Sequence, residues 1–302
     1  MGASTALVAL AAVFWGLSGG IGAILMNNDW DPFAVSFFRG ALGLLCVLLW
    51  LMLHPKKSGL ANRRLWFWSV IGGISVAGNF AFYFLSIAHG SVAVAATLMY
   101  CAPVFVFLLS FALKLERPTP AKWLAMVLVM VGVVLLTQLY DVGGSGVTAI
   151  GIGAGLLAGL SYAAFIFAFE YAAPHGSPQA ILAIAFAVLA VILFWPSDTG
   201  QIVSALGSQD WPLFATLGVL GAGLSFVVYV IGLKNTPPAV ASVVAMVEPV
   251  TATLFGVVVL HESLAGPQIL GMALILVTAT ALSVYSSSEK SRPDAPDGEG
   301  AR

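Results

Sequence analysis

Ten apolar runs, each near the length of a membrane-crossing helix, follow one another almost without interruption: residues 4–26, 33–53, 65–87, 91–114, 121–139, 148–172, 178–195, 211–233, 238–260 and 266–286. A helix needs about 20 mainly apolar residues to cross about 30 Å of hydrocarbon. A water-soluble fold has no way to hide ten such stretches, because its surface must be wetted by roughly 25% charged residues. Here only 8% of the residues are charged and 60% are hydrophobic. The chain is read as an all-α integral membrane protein with ten transmembrane helices. The breaks between runs are short and carry turn chemistry: "NNDWDP", "HPKKSGLANRR", "ERPTP", "YDVGGSG", "PHGSP" and "KNTPP". The first run has no basic segment ahead of it and is expected to remain as a span, not to be cleaved as a signal peptide. From Ser287 the tail "SSEKSRPDAPDGEGAR" is polar and rich in Pro and Gly, the composition of a disordered segment.

Ten spans make the loops alternate sides. With the N-terminus in the cytoplasm, the inner face holds Lys56, Lys57, Arg63, Arg64, Lys114, Arg117, Lys122, Lys234, Lys290, Arg292 and Arg302. The outer face holds no Lys or Arg, only Asp29, Asp31, Asp141, Asp198, Asp210 and Glu262. The remaining basic residue, Arg39, lies within the second run. Lys and Arg mark the cytoplasmic side of membrane proteins, so both termini are expected in the cytoplasm.

One stretch is written twice. "MYCAPVFVFLLSFALKLE" (Met99 to Glu116) and "AMVEPVTATLFGVVVLHE" (Ala245 to Glu262) superpose at a shift of 146 residues. That shift lays Pro103-Val104 on Pro249-Val250, Leu108 on Leu254, and Glu116 on Glu262. It also lays Tyr83 on Tyr229, Gly72 on Gly218, and Leu124, Met126 and Leu128 on Leu270, Met272 and Leu274. Each half has five spans, an odd number, so the two halves enter the membrane upside down relative to one another. A 5+5 inverted-topology repeat around a central cavity is an architecture of secondary transporters. The expected units are residues 1–145 and 146–286, followed by the tail at 287–302.

A proline inside a helix removes one backbone hydrogen bond and collides with the preceding turn. In lipid such a break is tolerated only where protein or a water-filled cavity satisfies the freed carbonyls. Pro103 and Pro249 fall near mid-depth in spans four and nine, matching positions of the two halves. Interrupted helices at corresponding positions point to a central binding site and to a gate, although a kink that only improves packing would leave the same trace.

At this point the chain resembles a known family. "EPVTATLFGVVVLHESLAGPQILGMALIL" is similar to the EamA repeat of the drug/metabolite transporter superfamily. "AVFWG" in span one and "APVFVFLLSFALKLERPTPAKWLAMVLVMVGVVLL" resemble its first copy. The likeness covers about residues 5–285 and is greatest to YddG-type exporters of aromatic and other amino acids. It implies a ten-helix exporter of the bacterial inner membrane. The first copy carries Ala102 where the second carries Glu248, so the carboxylate at that level is single.

Ionisable residues within spans are costly and usually functional. Two stand well inside. Glu248, beside Pro249, reads as an anchor for a substrate ammonium group, as a proton-coupling carboxylate, or as a structural acceptor at the kink. Arg39, in the outer part of span two, reads as a partner for a substrate carboxylate or as a side chain snorkelling toward Asp29 or Asp31. Around them the candidate binding residues are Trp15 and Ser18 in span one, Asn79 and Tyr83 in span three, and Tyr100 in span four. Ser161 and Tyr162 in span six and Ser225 with Tyr229 in span eight complete the set. Asn79 and Tyr83 are four residues apart and share a helix face, as do Ser225 and Tyr229. An aromatic and hydroxyl lining suits zwitterions with varied side chains through stacking, hydrogen bonds and cation–π attraction.

Gly16 and Gly20, and Gly151, Gly155 and Gly159, recur every fourth residue, a spacing that lets helix backbones approach closely. Gly151-x-Gly153 has no phosphate-binding lysine after it and lies in a span, so it is no nucleotide loop, and no P-loop for ATP-driven transport occurs. The histidines His54, His89, His175 and His261 are scattered at span ends without metal-binding spacing, and no cofactor motif is present. Cys46 and Cys101 read as small buried apolar residues. The net charge of −1 argues against nucleic acid as a partner. A membrane enzyme would need acids, His or Ser clustered at one depth, and a channel a ring of like charges. Neither pattern is written here. The expected partners are the bilayer and a small amphipathic solute, most simply an amino acid, moved by a monomeric carrier.

Overall fold

The computed structural model describes residues 2–55, 58–90, 92–115, 118–141, 148–261 and 263–290, and every extended element among them is helical. The first half comprises α1 (Gly2–Asn27), α2 (Pro32–Leu53), α3 (Arg63–Ala88), α4 (Val92–Met99), α5 (Ala102–Ala112) and α6 (Pro120–Leu136). The second half comprises α7 (Ala149–Ala172), α8 (Pro178–Phe194), α9 (Thr199–Ala205), α10 (Trp211–Gly218), α11 (Ser225–Leu233), α12 (Pro238–Ala245), α13 (Val247–Val259) and α14 (Gly266–Lys290). A π-helical segment, Val219–Leu224, joins α10 to α11. Eight helical stretches are long and apolar enough to cross a membrane, and the shorter apolar helices α6 and α8 bring the spans to ten. Span four is α4 with α5, span eight is α10 through α11, and span nine is α12 with α13.

The turn chemistry acts as the sequence suggests. Asp31, Asn62, Thr119, Thr148 and Ser177 each accept a hydrogen bond from a backbone N–H in the first turn of the helix that follows. Such caps satisfy donors that a helix start leaves unpaired. Pro32, Pro120, Pro178, Pro212 and Pro238 sit at helix starts, where the missing N–H costs nothing.

Both expected breaks occur, and they occupy the same place in the two halves. Span four turns at Tyr100 and Cys101, and span nine at Met246, the residue that the repeat aligns with Tyr100. The chain tightens there to shorter-range bonds, Cys101 N–H to Leu98 O at 3.2 Å and Met246 N–H to Val243 O at 3.1 Å. Pro103 and Pro249 stand in the first turn of the helix that follows each break.

The two halves interdigitate. α1 runs along α11 and α13, α3 along α7 and α8, α2 along α8, α4 along α7, and α6 along α14. Each of these pairs joins a helix of one repeat to a helix of the other. The regularly spaced glycines explain how. A Cβ on Gly16 would lie 2.6 Å from Thr251 Cβ and 2.9 Å from Ala252 N of α13, and one on Gly159 would lie 2.7 Å from Leu98 O. The first helix of each half thus presses a bare backbone against the broken fourth span of the other half.

Three features depart from the expected layout. The short helix α9, in the loop between spans seven and eight, is one. The π-helical segment of span eight is another, with no counterpart in the continuous α3 of the first half. Lastly, α14 continues to Lys290, past the expected start of the tail at Ser287. Glu116, Glu262 and residues 291–302 lie outside the described residues.

Candidate functional site

The break in span nine places Glu248 in the first turn of α13, where a carboxylate is favoured by the helix dipole. One of its oxygens, Oε2, accepts a hydrogen bond from Tyr162 Oη at 3.1 Å. Tyr162 comes from α7 in the same half. Tyr100, at the break in span four, and Tyr83 of α3 are close enough for Glu248 to act on them electrostatically. The two broken spans pack together, α5 against α12, with Tyr100 at one break and Glu248 just after the other.

Arg39 joins them from α2. It does not snorkel toward the loop acids: Asp31 Oδ2 accepts from Ala34 N–H at 2.8 Å and caps α2 instead. Arg39 Nε donates to Gly221 O at 2.9 Å, and its guanidinium lies 5.1 Å from the centroid of the Phe80 ring. Gly221 is in the π-helical segment, whose wider turn shifts the backbone ladder and is frequent at functional sites. A Cβ at Gly221 would sit 2.9 Å from Arg39 Nε, so glycine is what lets the guanidinium reach that carbonyl. Arg39 and Glu248 are both half-buried and act on each other through space, without a direct hydrogen bond.

Below this pair, toward the end of the molecule that carries the basic loops, an aromatic cluster closes the bundle. Trp15 of α1 is its centre, with ring centroids 4.9 Å from Tyr229, 5.0 Å from Phe226, 6.2 Å from Phe165 and 6.4 Å from Tyr162. All five rings are buried, Trp15 to 2% exposure and Tyr229 to 0%. On the other side of the pair Phe80, Tyr83, Phe84 and Thr251 are half-buried. Side-chain exposure thus falls along the bundle axis from these residues toward the aromatic cluster.

The remaining candidates fall outside this convergence or serve packing. The Asn79 amide donates to Ala158 O at 3.0 Å and ties α3 to α7. Ser18 Oγ donates to Trp15 O within α1, and Ser161 faces Gly78 of α3. Ser225 Oγ, Tyr229 Oη and Trp15 Nε1 are buried without a hydrogen-bond partner. Cys46 and Cys101 are free thiols. Among the described residues no group of His, Cys, Asp or Glu is disposed to hold a metal.

Two participants carry little signal in the sequence. Phe80, one among many phenylalanines, becomes notable only under the guanidinium. Gly221 becomes notable only through its carbonyl.

Known proteins share this architecture. The EamA-like transporter family matches residues 3–138 and 149–284, one copy in each half. The transporter YwfM of Bacillus subtilis is 26% identical over 94% of both chains, and a transporter of Archaeoglobus fulgidus is 30% identical over 90% of this chain and 93% of its own. The threonine/homoserine exporter RhtA of Salmonella typhimurium is 29% identical over 68% of each chain. A solved crystal structure with 19% identity superposes on 95% of this chain and 99% of its own with a TM-score of 0.74, which shows the fold. With both repeats matched and ten helical spans in place, the chain belongs to the EamA-like transporter family, a family of multi-pass membrane transporters and not of enzymes.

Proposed function

We propose that the protein is a secondary transporter that exports small amphipathic solutes, namely amino acids including aromatic ones, by alternating access. It acts as a monomer in the bacterial cytoplasmic membrane with both termini inside. One observation carries the substrate class: Arg39 and Glu248, of opposite charge, share one site without bonding directly to each other. That is the charge pattern of a zwitterion in mirror image. Glu248 takes the ammonium group, steadied by Tyr162. Arg39, held by Gly221 O and Phe80, offers its remaining N–H groups to the carboxylate. The neighbouring rings of Phe80, Tyr83 and Tyr100 would offer apolar and stacking contacts to a side chain, which favours aromatic ones. The name of the relative RhtA, a threonine/homoserine exporter, points to the same class, as does the likeness to YddG-type exporters. The bias of basic residues to one face supports the orientation.

A multidrug or other-metabolite exporter on the same scaffold is the second reading. It is favoured by the cluster around Trp15, since rings beside one carboxylate suit a lipophilic cation. Uptake of labelled amino acids and of lipophilic cations into proteoliposomes, with and without a pH gradient, separates the two. Export of amino acids requires saturable counterflow of at least one neutral amino acid. Flux of the cations alone would select the second reading.

A further inference from the structure

At the end of the bundle that carries the basic loops, beyond the aromatic cluster, a cavity of about 270 Å³ is lined by Leu115, Glu170, Leu233, Lys234, Asn235 and Thr236, among others. Its walls come from α7, from the chain after α5, and from the turn between α11 and α12, so both repeats contribute. Leu233 and Tyr229 are four residues apart on α11, one helical turn of about 5.4 Å. Tyr229 thus lies one turn before Leu233 along α11, its ring packs on Trp15, and Glu170 lines the same cavity as Leu233. Tyr229 Oη and Trp15 Nε1, on rings whose centroids are 4.9 Å apart, are buried donors without an acceptor. An unmet buried donor is costly and favours any ligand that supplies an acceptor. The closed cluster thus holds two unmet donors on neighbouring rings, near a cavity that Glu170 lines.

We propose that this cavity is a second amino acid subsite, loaded from the cytoplasm, in which Glu170 takes the substrate ammonium group and Tyr229 and Trp15 donate to its carboxylate as the cluster parts. The subsite rests on the reading of the protein as an amino acid exporter with its basic loops inside. Lys234, exposed at the rim, adds positive charge that draws the carboxylate end of a solute toward the cluster. Passage from this subsite to the Arg39–Glu248 pair then exchanges one carboxylate–ammonium contact for another of the same kind.

The test measures each face separately, by counterflow of a labelled neutral amino acid in inside-out and right-side-out membrane vesicles. Glu170→Gln is expected to raise the half-saturating concentration at the cytoplasmic face about tenfold, the scale of a charge-assisted hydrogen bond, and to leave the outer face unchanged. Glu170→Asp should recover part of the loss, because it keeps the charge. Tyr229→Phe, which keeps the ring and removes one donor, should raise the same constant at the same face and serves if the Glu170 variants fail to reach the membrane. Equal changes at both faces, no change at either, or Asp no better than Gln would overturn the subsite. Absence of amino acid exchange by the wild-type protein would refute the export reading, and the subsite with it.

Discussion

At the scale of single residues, the Arg39–Glu248 pair is the proposed binding element. Glu248→Gln keeps a hydrogen-bond acceptor for Tyr162 and removes the charge. A merely structural Glu248 would tolerate the change; as an ammonium anchor it should lose at least tenfold in counterflow while the purified protein stays monodisperse. A group that only couples protons would keep counterflow and lose the response to a pH gradient. Arg39→Gln should weaken amino acid counterflow by a similar factor and spare any flux of lipophilic cations, which carry no carboxylate. Normal amino acid counterflow in that variant, measured in proteoliposomes, would remove Arg39 from the site. The positions of these residues, not their role, were partly legible beforehand: Glu248 and Tyr162 stand out as polar groups within apolar runs, and both Tyr100 and Glu248 lie close to the paired prolines. The direction of Arg39 was not, since its partners come from α3 and a π-helical turn remote in sequence. Nor was the use of Asn79 as a tie to Ala158 O, because a backbone carbonyl of another helix leaves no mark in composition. Glu170, close to the end of α7, was not singled out from the sequence and gains interest only from the cavity beside it.

At the scale of elements, the broken spans are the proposed moving parts and the glycine contacts the fixed ones. Pro103→Ala and Pro249→Ala each restore an N–H to the turn after a break and so favour a straighter span. Each should slow counterflow severalfold without loss of membrane insertion; wild-type rates in both variants would deny the paired breaks a gating role. Gly16 and Gly159 make the opposite kind of prediction. Gly159→Ala forces a methyl to within 2.7 Å of Leu98 O, whereas a Cβ on Gly153 meets nothing within 4 Å. Overpacking of this kind costs about 1–3 kcal/mol, so Gly16→Ala and Gly159→Ala should lower the unfolding midpoint in detergent, and Gly153→Ala should leave it unchanged. Equal midpoints for all three would contradict the close packing of α1 on α13 and of α7 on α4. The prolines and the glycine spacing announced these elements because both act through local backbone chemistry. The π-helical segment and α9 did not announce themselves. "VLGAGL" reads like any small-residue stretch of a span, and α9, at seven residues, is too short to show a period.

At the scale of the whole molecule, ten spans and a repeat of odd-numbered halves were readable because hydropathy and loop charge are physical requirements of the bilayer. The interdigitation of the halves was not, since nothing in a single span says which of nine others it will pack against. Orientation has a direct check. In a background with Cys46 and Cys101 replaced, single cysteines at Asn28, Ser145 and Ser204 should react with an impermeant thiol reagent outside intact cells, and cysteines at Ser58 and Ser288 should not. Outside labelling at Ser58 would invert the topology. The central claim, that two opposite charges at the meeting of the broken spans select a zwitterion, is tested most directly by competition. Counterflow of a labelled neutral amino acid is measured against the unlabelled amino acid, its methyl ester, which lacks the carboxylate, and its N-acetyl derivative, which lacks the ammonium group. Each lost charge-assisted contact is worth about 1.5–3 kcal/mol, so the account predicts that the intact amino acid competes at roughly tenfold lower concentration than either derivative. Competition by the ester as effective as that of the amino acid itself would contradict it.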